Sequence, residues 1–230
     1  RELQLLHGEL AGKFEAAFEN QEGNRYSIKN QSLKFGLDVA TWWADYYKQY
    51  CKWFVSLKES APKRLLDIGC DNGILTCFYA YLYPETEVIG IDPCKEGIQC
   101  AKELAERLGL TNVSFEQLSY KELDCYPKAH FDMITSVRVF HEIIGTIKVP
   151  EYWSLAEIIE EQPLTVNPAY LVPIEYLLSD EGKYIHAERL QNQAALAQWS
   201  NTLKGANLHL QWDMCNFNEY REFGTPHKEP

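Results

Sequence analysis

The sequence predicts an α/β protein with a doubly wound, mostly parallel sheet and a helical N-terminal cap. Residues 1–60 carry helical periodicity, residues from 63 onward alternate short apolar runs with helices, and a glycine-containing turn follows the first of these runs. Alternation of strands and helices is typical of right-handed β-α-β units and a parallel sheet. The predicted domains are a cap over residues 1–60 and a sheet domain over 61–230, with a lid-like insertion at about 144–165.

Two helical regions are predicted in the cap. Apolar residues recur at three- and four-residue steps from Leu3 to Phe18, which is an amphipathic pattern. Residues 21–31 are polar and contain glycine, which predicts a loop. Residues 39–57 then place aromatic side chains on one helical face, namely Trp43, Tyr46, Tyr47, Tyr50, Trp53 and Phe54. This face packs against the sheet edge or lines a pocket, and the pattern leaves both readings open.

The elements of the sheet domain follow in regular order. Strands are predicted at 64–68, 87–91, 113–116, 131–136, 184–188 and 207–215, and helices at 74–83, 94–108, 167–178 and 191–203. Residues 217–230 show no clear pattern and contain Pro226 and Pro230, so no regular seventh strand is expected. Because the chain starts with Arg1 and not with Met, we expect it to be a piece of a longer protein.

Composition narrows the class of protein. Hydrophobic residues make up 46% of the 230 residues, which argues against disorder. The 33 acidic and 22 basic side chains give a net charge of −11, which counts against a nucleic-acid-binding protein. The longest segment without Asp, Glu, Lys or Arg covers residues 190–203, whereas a membrane span needs about 20 apolar residues. The seven scattered cysteines are typical of reduced thiols and predict a cytoplasmic protein.

A candidate ligand site lies where the first strand ends. Residues 65–73, LLDIGCDNG, run from a buried strand through a turn into a helix, and glycines in such a turn let a ligand approach the backbone. Asp92 ends the second strand in VIGIDP, 25 residues after Asp67. A carboxylate there can accept hydrogen bonds from both ribose hydroxyls of a nucleoside. The alternatives are a turn-capping role for Asp67 and a helix-capping role for Asp92.

At these residues the chain resembles the class I S-adenosylmethionine-dependent methyltransferases. Five segments within residues 63–215 carry the resemblance: LLDIGCDNG, VIGIDP, VSFEQLSYKEL, FDMITSVRVFHEI and LLSDEGKYIHAER. The resemblance implies a Rossmann-like methyltransferase fold, with S-adenosyl-L-methionine as cofactor and S-adenosyl-L-homocysteine as product. The alternative is a nicotinamide-binding domain, but its G-x-G-x-x-G spacing is missing and Asp71 would repel a pyrophosphate.

The resemblance also implies which residues hold the cofactor. The methionine half would face Asp67 and Gly69, the turn would form the floor, Asp92 would hold the ribose, and Pro93 would begin the adenine wall. The full predicted set is Asp67, Gly69, Cys70, Asp71, Asn72, Gly73, Asp92, Pro93, Leu118, Ser119 and Ser136. The chain departs from the family pattern twice, with Asp71 at a position that is usually glycine and with Leu118-Ser119 in place of a common Gly-Asp pair.

His141 is the predicted catalytic residue. In the family this position lies near the transferred methyl group, and an imidazole can remove a proton from a hydroxyl or amine near neutral pH. The alternative is a packing role. No metal site is predicted, because Cys-x-x-Cys and His-Glu-x-x-His are absent.

The predicted function is methyl transfer to the oxygen or nitrogen of a small-molecule acceptor. The net charge makes nucleic acid an unexpected partner, and no membrane partner is expected. Two alternatives stay open, a protein or RNA methyltransferase and a non-catalytic module that only binds the cofactor.

Overall fold

The structure is a computed structural model, and it describes residues 2–20, 24–143, 167–190, 193–222 and 225–229. The N-terminal region is helical, as predicted. Its helices are α1 (Glu2–His7), α2 (Glu9–Asn20), α3 (Arg25–Lys29), α4 (Leu33–Ala40) and α5 (Ala44–Ser56), with a 3₁₀ turn at Thr41–Trp43. Leu3, Phe14, Phe35 and Val39 form a small core between the first four helices. The cap therefore has an apolar centre of its own.

Helix α3 corrects the predicted loop over residues 21–31. Asn24 caps this helix, because its side-chain oxygen accepts a hydrogen bond from the backbone N–H of Ser27 at 3.1 Å. Asparagine is common both in loops and at helix N-termini, and the polar pattern did not separate the two. The predicted helix at 39–57 is also divided, since α4 ends at Ala40 and α5 begins at Ala44.

The sheet domain has a five-stranded parallel sheet in the order β3-β2-β1-β4-β5. Its elements are β1 (Arg64–Ile68), α6 (Ile74–Leu82), β2 (Glu87–Asp92), α7 (Lys95–Leu108), β3 (Val113–Gln117), β4 (Phe131–Val137), α8 (Phe140–Ile143), α9 (Val172–Leu177), β5 (Leu178–Ala187) and α10 (Gln193–Gly205). Two 3₁₀ turns lie at Tyr120–Cys125 and Pro168–Leu171. The doubly wound α/β prediction is confirmed.

Helices cover both faces of this sheet. Leu66 and Ile68 of β1 pack on one side with Phe140 and Trp199, whereas Leu65 packs on the other side with α5 and α6. Adjacent side chains of a strand point to opposite faces, so a strand buried on both sides is apolar throughout. The register places Asp67 beside Gly90 of β2 and Thr135 of β4. The ends of β1, β2 and β4 therefore meet at one edge.

The C-terminal part differs from the prediction. The predicted strand at 207–215 is wrong, since the segment forms turns and loop after Asn207, whose φ is +58°. Leu208 and Leu210 still pack against the core, without strand pairing. The predicted insertion at 144–165 lies outside the described residues.

Residues 217–230 contain a β-hairpin that was not predicted. Strands β6 (Asn218–Glu222) and β7 (Thr225–Glu229) pair antiparallel in a separate two-stranded sheet, with Arg221 opposite Pro226. Proline is tolerated there because each strand of a two-stranded ribbon has an open edge. Among the described residues the hairpin stays separate from the five-stranded sheet, so no seventh strand joins that sheet. The hairpin packs on α5 through Tyr46 and Tyr220, whose ring centroids are 5.0 Å apart. No helix of the described residues is long and apolar enough to cross a membrane.

Candidate active site

A cavity of about 650 Å³ lies over the carboxyl ends of β1, β2 and β4. Ligands of doubly wound sheets bind at this edge, where the chain leaves the strands. We call residues 67–72 with Asp92 and Pro93 the floor of the cavity, and helices α3 and α8 its roof. The predicted site residue Gly73 follows the floor and is not among the residues that line the cavity. Aromatic side chains from the cap form a further wall, namely Phe14, Phe18, Trp43, Tyr46 and Tyr47.

The glycine turn of the floor depends on residues with positive φ. Gly69 and Gly73 have φ values of +73° and +79°, a region that glycine enters without steric strain. A Cβ on Gly69 would lie 2.5 Å from Val139, and one on Gly73 would lie 2.7 Å from Ala101. Asp71 also has a positive φ, +48°, which aspartate adopts more readily than most residues. The sequence therefore matches the turn geometry at all three positions.

Asp67 is buried at the end of β1. Thr76 Oγ1 donates to Asp67 Oδ2 at 2.5 Å, and Thr135 Oγ1 donates to Asp67 Oδ1 at 2.9 Å. Burial raises the pKa of Asp67 to about 6, against the two threonine hydrogen bonds. The carboxylate thus joins β1 to β4 and to α6 while lining the cavity. Both hydroxyl donors lie outside the turn, and the predicted ligand role of Asp67 stays a prediction.

Asp92 faces the cavity from the end of β2. The backbone N–H of Asp71 donates to Asp92 Oδ2 at 2.9 Å, and that of Cys94 donates to Asp92 Oδ1 at 2.8 Å. Burial raises the pKa of Asp92 to about 6. A carboxylate has about four acceptor positions, so two remain for a ligand. Asp92 therefore fixes the residue before the next helix, Cys94, and still has acceptor capacity for two hydroxyl groups.

Pro93, Leu118 and Ser119 also line the cavity, and the backbone N–H of Leu118 donates to the carbonyl oxygen of Asp92 at 3.2 Å. Ser119 caps the following 3₁₀ turn, since its Oγ accepts from the Lys121 N–H and its own N–H donates to Glu122 Oε2 at 2.9 Å. Ser136 is placed differently. It is 1% exposed, its hydroxyl hydrogen-bonds to Tyr184 OH at 2.6 Å, and it is not among the residues that line the cavity.

His141 lies on α8, in the roof, between two carboxylates. Its Nδ1 is 2.7 Å from Glu188 Oε1, and its Nε2 is 3.5 Å from Glu142 Oε1. Burial lowers the pKa of His141, but Glu142 and Glu188 outweigh burial and raise that pKa to about 9. A general base must be neutral to accept a proton, whereas this arrangement favours the protonated ring near pH 7. Both ring nitrogens have carboxylate neighbours, and the proton-accepting role of His141 stays a prediction.

Helix α3 crosses the cavity and is fixed at both ends. At one end, Lys29 pairs with Asp71 Oδ2, and Asn30 Nδ2 donates to Asp71 Oδ1 at 2.6 Å. At the other end, Arg25 pairs with Glu142, to which Tyr26 OH also donates at 2.8 Å. Gly97 permits close packing of α7 on the turn, because a Cβ there would lie 3.1 Å from the Asp71 carbonyl oxygen.

Sequence reasoning missed Lys29, Arg25 and Glu188 as site residues. Glu188 directly follows the fifth strand, and polar residues at the ends of parallel strands are general candidates for such a site. That rule was enough to find Glu188. Lys29 and Arg25 lie in a segment that resembled a polar loop, and no local pattern connects them to partners 42 and 117 residues away. No group of three or more potential metal-ligating side chains is found among the described residues.

Comparison with known proteins gives a consistent result. A family model described as "Methyltransferase domain" matches residues 59–222. The chain is 33% identical to a ubiquinone biosynthesis O-methyltransferase from Paraburkholderia phymatum, over 44% of this chain and 42% of the relative. It is 29% identical to a tRNA U34 carboxymethyltransferase from Desulfotalea psychrophila, over 56% of this chain and 40% of the relative. The chain therefore spans less than half the length of these two curated relatives.

Among solved structures, the YcgJ protein from Bacillus subtilis is similar with a TM-score of 0.51 and 17% identity. The similarity covers 74% of this chain and 70% of that protein. At this level of identity the likeness shows a shared fold.

Proposed function

Because this chain belongs to the class I S-adenosylmethionine-dependent methyltransferases, we propose that it transfers a methyl group to the oxygen or nitrogen of a small-molecule acceptor. S-adenosylmethionine is the methyl donor of this family. The observation that carries the proposal is that the glycine turn, Asp92 and an aromatic wall line one cavity. One end then suits the cofactor, and the other suits an apolar or aromatic acceptor.

The residues of the floor fit S-adenosylmethionine by size and by chemistry. A volume of about 650 Å³ lies within the range of about 300–1,000 Å³ found for small-molecule sites. The two acceptor positions that remain on Asp92 match the two ribose hydroxyls. Carboxylates at Asp67 and Asp92 also suit a ligand with a positive centre, since opposite charges attract in a partly buried site.

When bound, this cofactor supplies an electrophilic methyl group on a sulfonium. The chain contributes alignment and the exclusion of water, which can account for much of a transfer rate. Phe14, Phe18 and Trp43 would hold the acceptor by apolar contact, and α3 and α8 would close the site above it. His141, whose two ring nitrogens face Glu188 and Glu142, would hold α8 in place beside the acceptor.

A small acceptor is favoured over RNA by charge and by the lining of the cavity. The net charge of −11 is unfavourable for a phosphate backbone. Four basic side chains line the cavity, namely Arg25, Lys29, Arg138 and Arg189. Two of them pair with carboxylates of the chain, Arg25 with Glu142 and Lys29 with Asp71. The likeness to a tRNA-modifying enzyme makes RNA the alternative that a test must address.

The test is methyl transfer from a donor with a radioactive methyl group to cell extract fractions. We expect incorporation into the low-molecular-mass fraction, insensitive to ribonuclease and protease. Incorporation that ribonuclease or protease abolishes would contradict a small acceptor. Binding of S-adenosylhomocysteine with no transfer to any fraction would instead support a non-catalytic module.

A further inference from the structure

Lys29 brings a shielded ammonium group to the glycine turn, and its partners do not use all of its hydrogen-bonding capacity. Its side chain is 12% exposed and lines the cavity, and it pairs with Asp71. An ammonium has three N–H donors. Among the described residues, Asp71 is the only hydrogen-bond acceptor of Lys29 Nζ, and the Tyr26 ring lies 5.6 Å away. Donors shielded from water without acceptors are unfavourable, so this position suits a further anionic group.

Asp71 holds Lys29 in place. Its two carboxylate oxygens are both engaged, Oδ2 by Lys29 and Oδ1 by Asn30 Nδ2 at 2.6 Å. Asn30 is itself fixed on α7, because Cys100 Sγ donates to its carbonyl oxygen at 3.3 Å. Asp71 of the turn thus holds the ammonium, and Asn30, which is fastened to α7, holds Asp71.

The charges of the floor also favour an anionic group beside Lys29. Asp67, Asp71 and Asp92 lie along the cavity, and Lys29 is the cation that pairs with the turn itself. The methionine half of the cofactor carries a carboxylate that needs a cationic partner in such a surrounding, since an unpaired buried charge is strongly unfavourable. The predicted position of that half is beside Asp67 and Gly69, in the same cavity as Lys29.

We propose that Lys29, held by Asp71 and Asn30, binds the carboxylate of the methionine half of S-adenosylmethionine. The proposal rests on the proposed function, because it assumes that the floor holds this cofactor. It assigns to Asp71 a defined purpose: the residue that departs from the usual glycine positions a lysine of the cap. Helix α3 of the cap would then contribute to cofactor binding through one ion pair.

Calorimetry with two ligands tests this assignment on the 230-residue chain. S-adenosylhomocysteine has the amino acid carboxylate, and 5′-deoxy-5′-methylthioadenosine lacks the amino acid part. We expect Lys29→Met to weaken binding of S-adenosylhomocysteine by about 10- to 100-fold, which is the range for a hydrogen bond to a charged group. Binding of methylthioadenosine should change by less than about threefold. Lys29→Arg should restore most of the lost affinity.

Two further variants keep the outcome decisive. Lys29→Met leaves Asp71 without its cation, so Lys29→Met/Asp71→Asn removes both charges and should keep the selective loss. Lys34→Met removes an exposed lysine that pairs with Asp38 and should change neither affinity. Equal losses for both ligands, or recovery in the double variant, would overturn the role of Lys29. Failure of the unmodified chain to bind either ligand would instead contradict the proposed function.

Discussion

The floor and the roof of the cavity are built in different ways. The floor consists of consecutive residues at strand ends, and its main contacts join backbone groups to the carboxylate of Asp92. The roof is held by side-chain pairs between distant segments, such as Arg25 with Glu142 and Lys29 with Asp71. The floor is a pattern shared by many nucleoside-binding sheets, whereas the roof depends on contacts between segments far apart in the sequence. We therefore expect changes in the floor to alter folding and cofactor affinity, and changes at the α8 end of the roof to have smaller effects.

The largest expected effect is on folding, at Gly69. Gly69→Ala requires a left-handed backbone, which is unfavourable by about 1–2 kcal/mol, and places a Cβ 2.5 Å from Val139, which adds about 1–3 kcal/mol. We expect the free energy of unfolding in urea to fall by about 2–5 kcal/mol. Gly109→Ala is the matched control, since Gly109 has φ of +67° with open space around it. The control should lose about 1 kcal/mol, and equal losses would show that Val139 does not restrict the floor.

The next effect is on cofactor affinity, at Asp92. Asp92→Ala should weaken S-adenosylhomocysteine binding by about 1.5–3 kcal/mol, the range for hydrogen bonds to a charged group. Asp132→Ala is the control for lost backbone contacts, because Asp132 Oδ2 accepts from the N–H groups of Lys63 and Arg64 at 2.9 and 3.0 Å. That variant should lose stability and keep its affinity, as measured by calorimetry. Full affinity in Asp92→Ala would remove this carboxylate from the ribose site.

A smaller effect concerns the pH dependence of stability in the roof. The pKa of His141 is raised from 6.5 to about 9 in the folded protein. The stabilisation that the protonated His141 gives to the folded state is therefore complete below pH 6.5 and is lost as pH rises through 9. We expect roughly 1–2 kcal/mol of unfolding free energy to disappear over that interval, because partial exposure screens the pairs. Urea unfolding of His141→Gln should lack this step, while His130→Gln should retain it. An identical pH profile for His141→Gln would contradict the network.

The smallest effect is expected at the α8 end of the roof. Glu142→Gln removes the partner of Arg25, but the Glu142 side chain is 41% exposed, and such pairs contribute less than about 1 kcal/mol. Glu103→Gln, which breaks the exposed pair of Glu103 with Arg107 on α7, should change stability to a similar extent. Both variants should bind S-adenosylhomocysteine within about twofold of the unmodified chain. A tenfold loss in Glu142→Gln would show that the cofactor site extends to α8.

The same contrast explains what the sequence predicts well. The turn from Asp67 to Gly73 and the end of β2 at Asp92 combine local periodicity, glycine at positive φ and a fixed strand order, so a single stretch of sequence predicts each of them. The fold class follows from the same alternation of strands and helices. Ser136 shows the limit of this approach: the end of β4 was predicted correctly, but its hydroxyl faces Tyr184 and not the cavity.

The parts that were missed depend on tertiary contacts. Lys29 meets Asp71 only because α3 folds back over the sheet, and its segment resembles a polar loop in isolation. Alternating residues at 207–215 resemble a strand, yet Leu208 and Leu210 pack into the core without pairing. Strand formation needs a partner edge as well as a pattern, and β-propensity depends on that context.

Calorimetric titration of the 230-residue chain with S-adenosylhomocysteine, and separately with NAD, tests the central claim most directly. The claim is that the floor is a site for a nucleoside linked to an amino acid. We expect S-adenosylhomocysteine to bind at one site, to raise the melting temperature by mass action, and to bind more tightly than NAD. Tighter binding of NAD, or no binding of S-adenosylhomocysteine by the folded chain, would contradict the account.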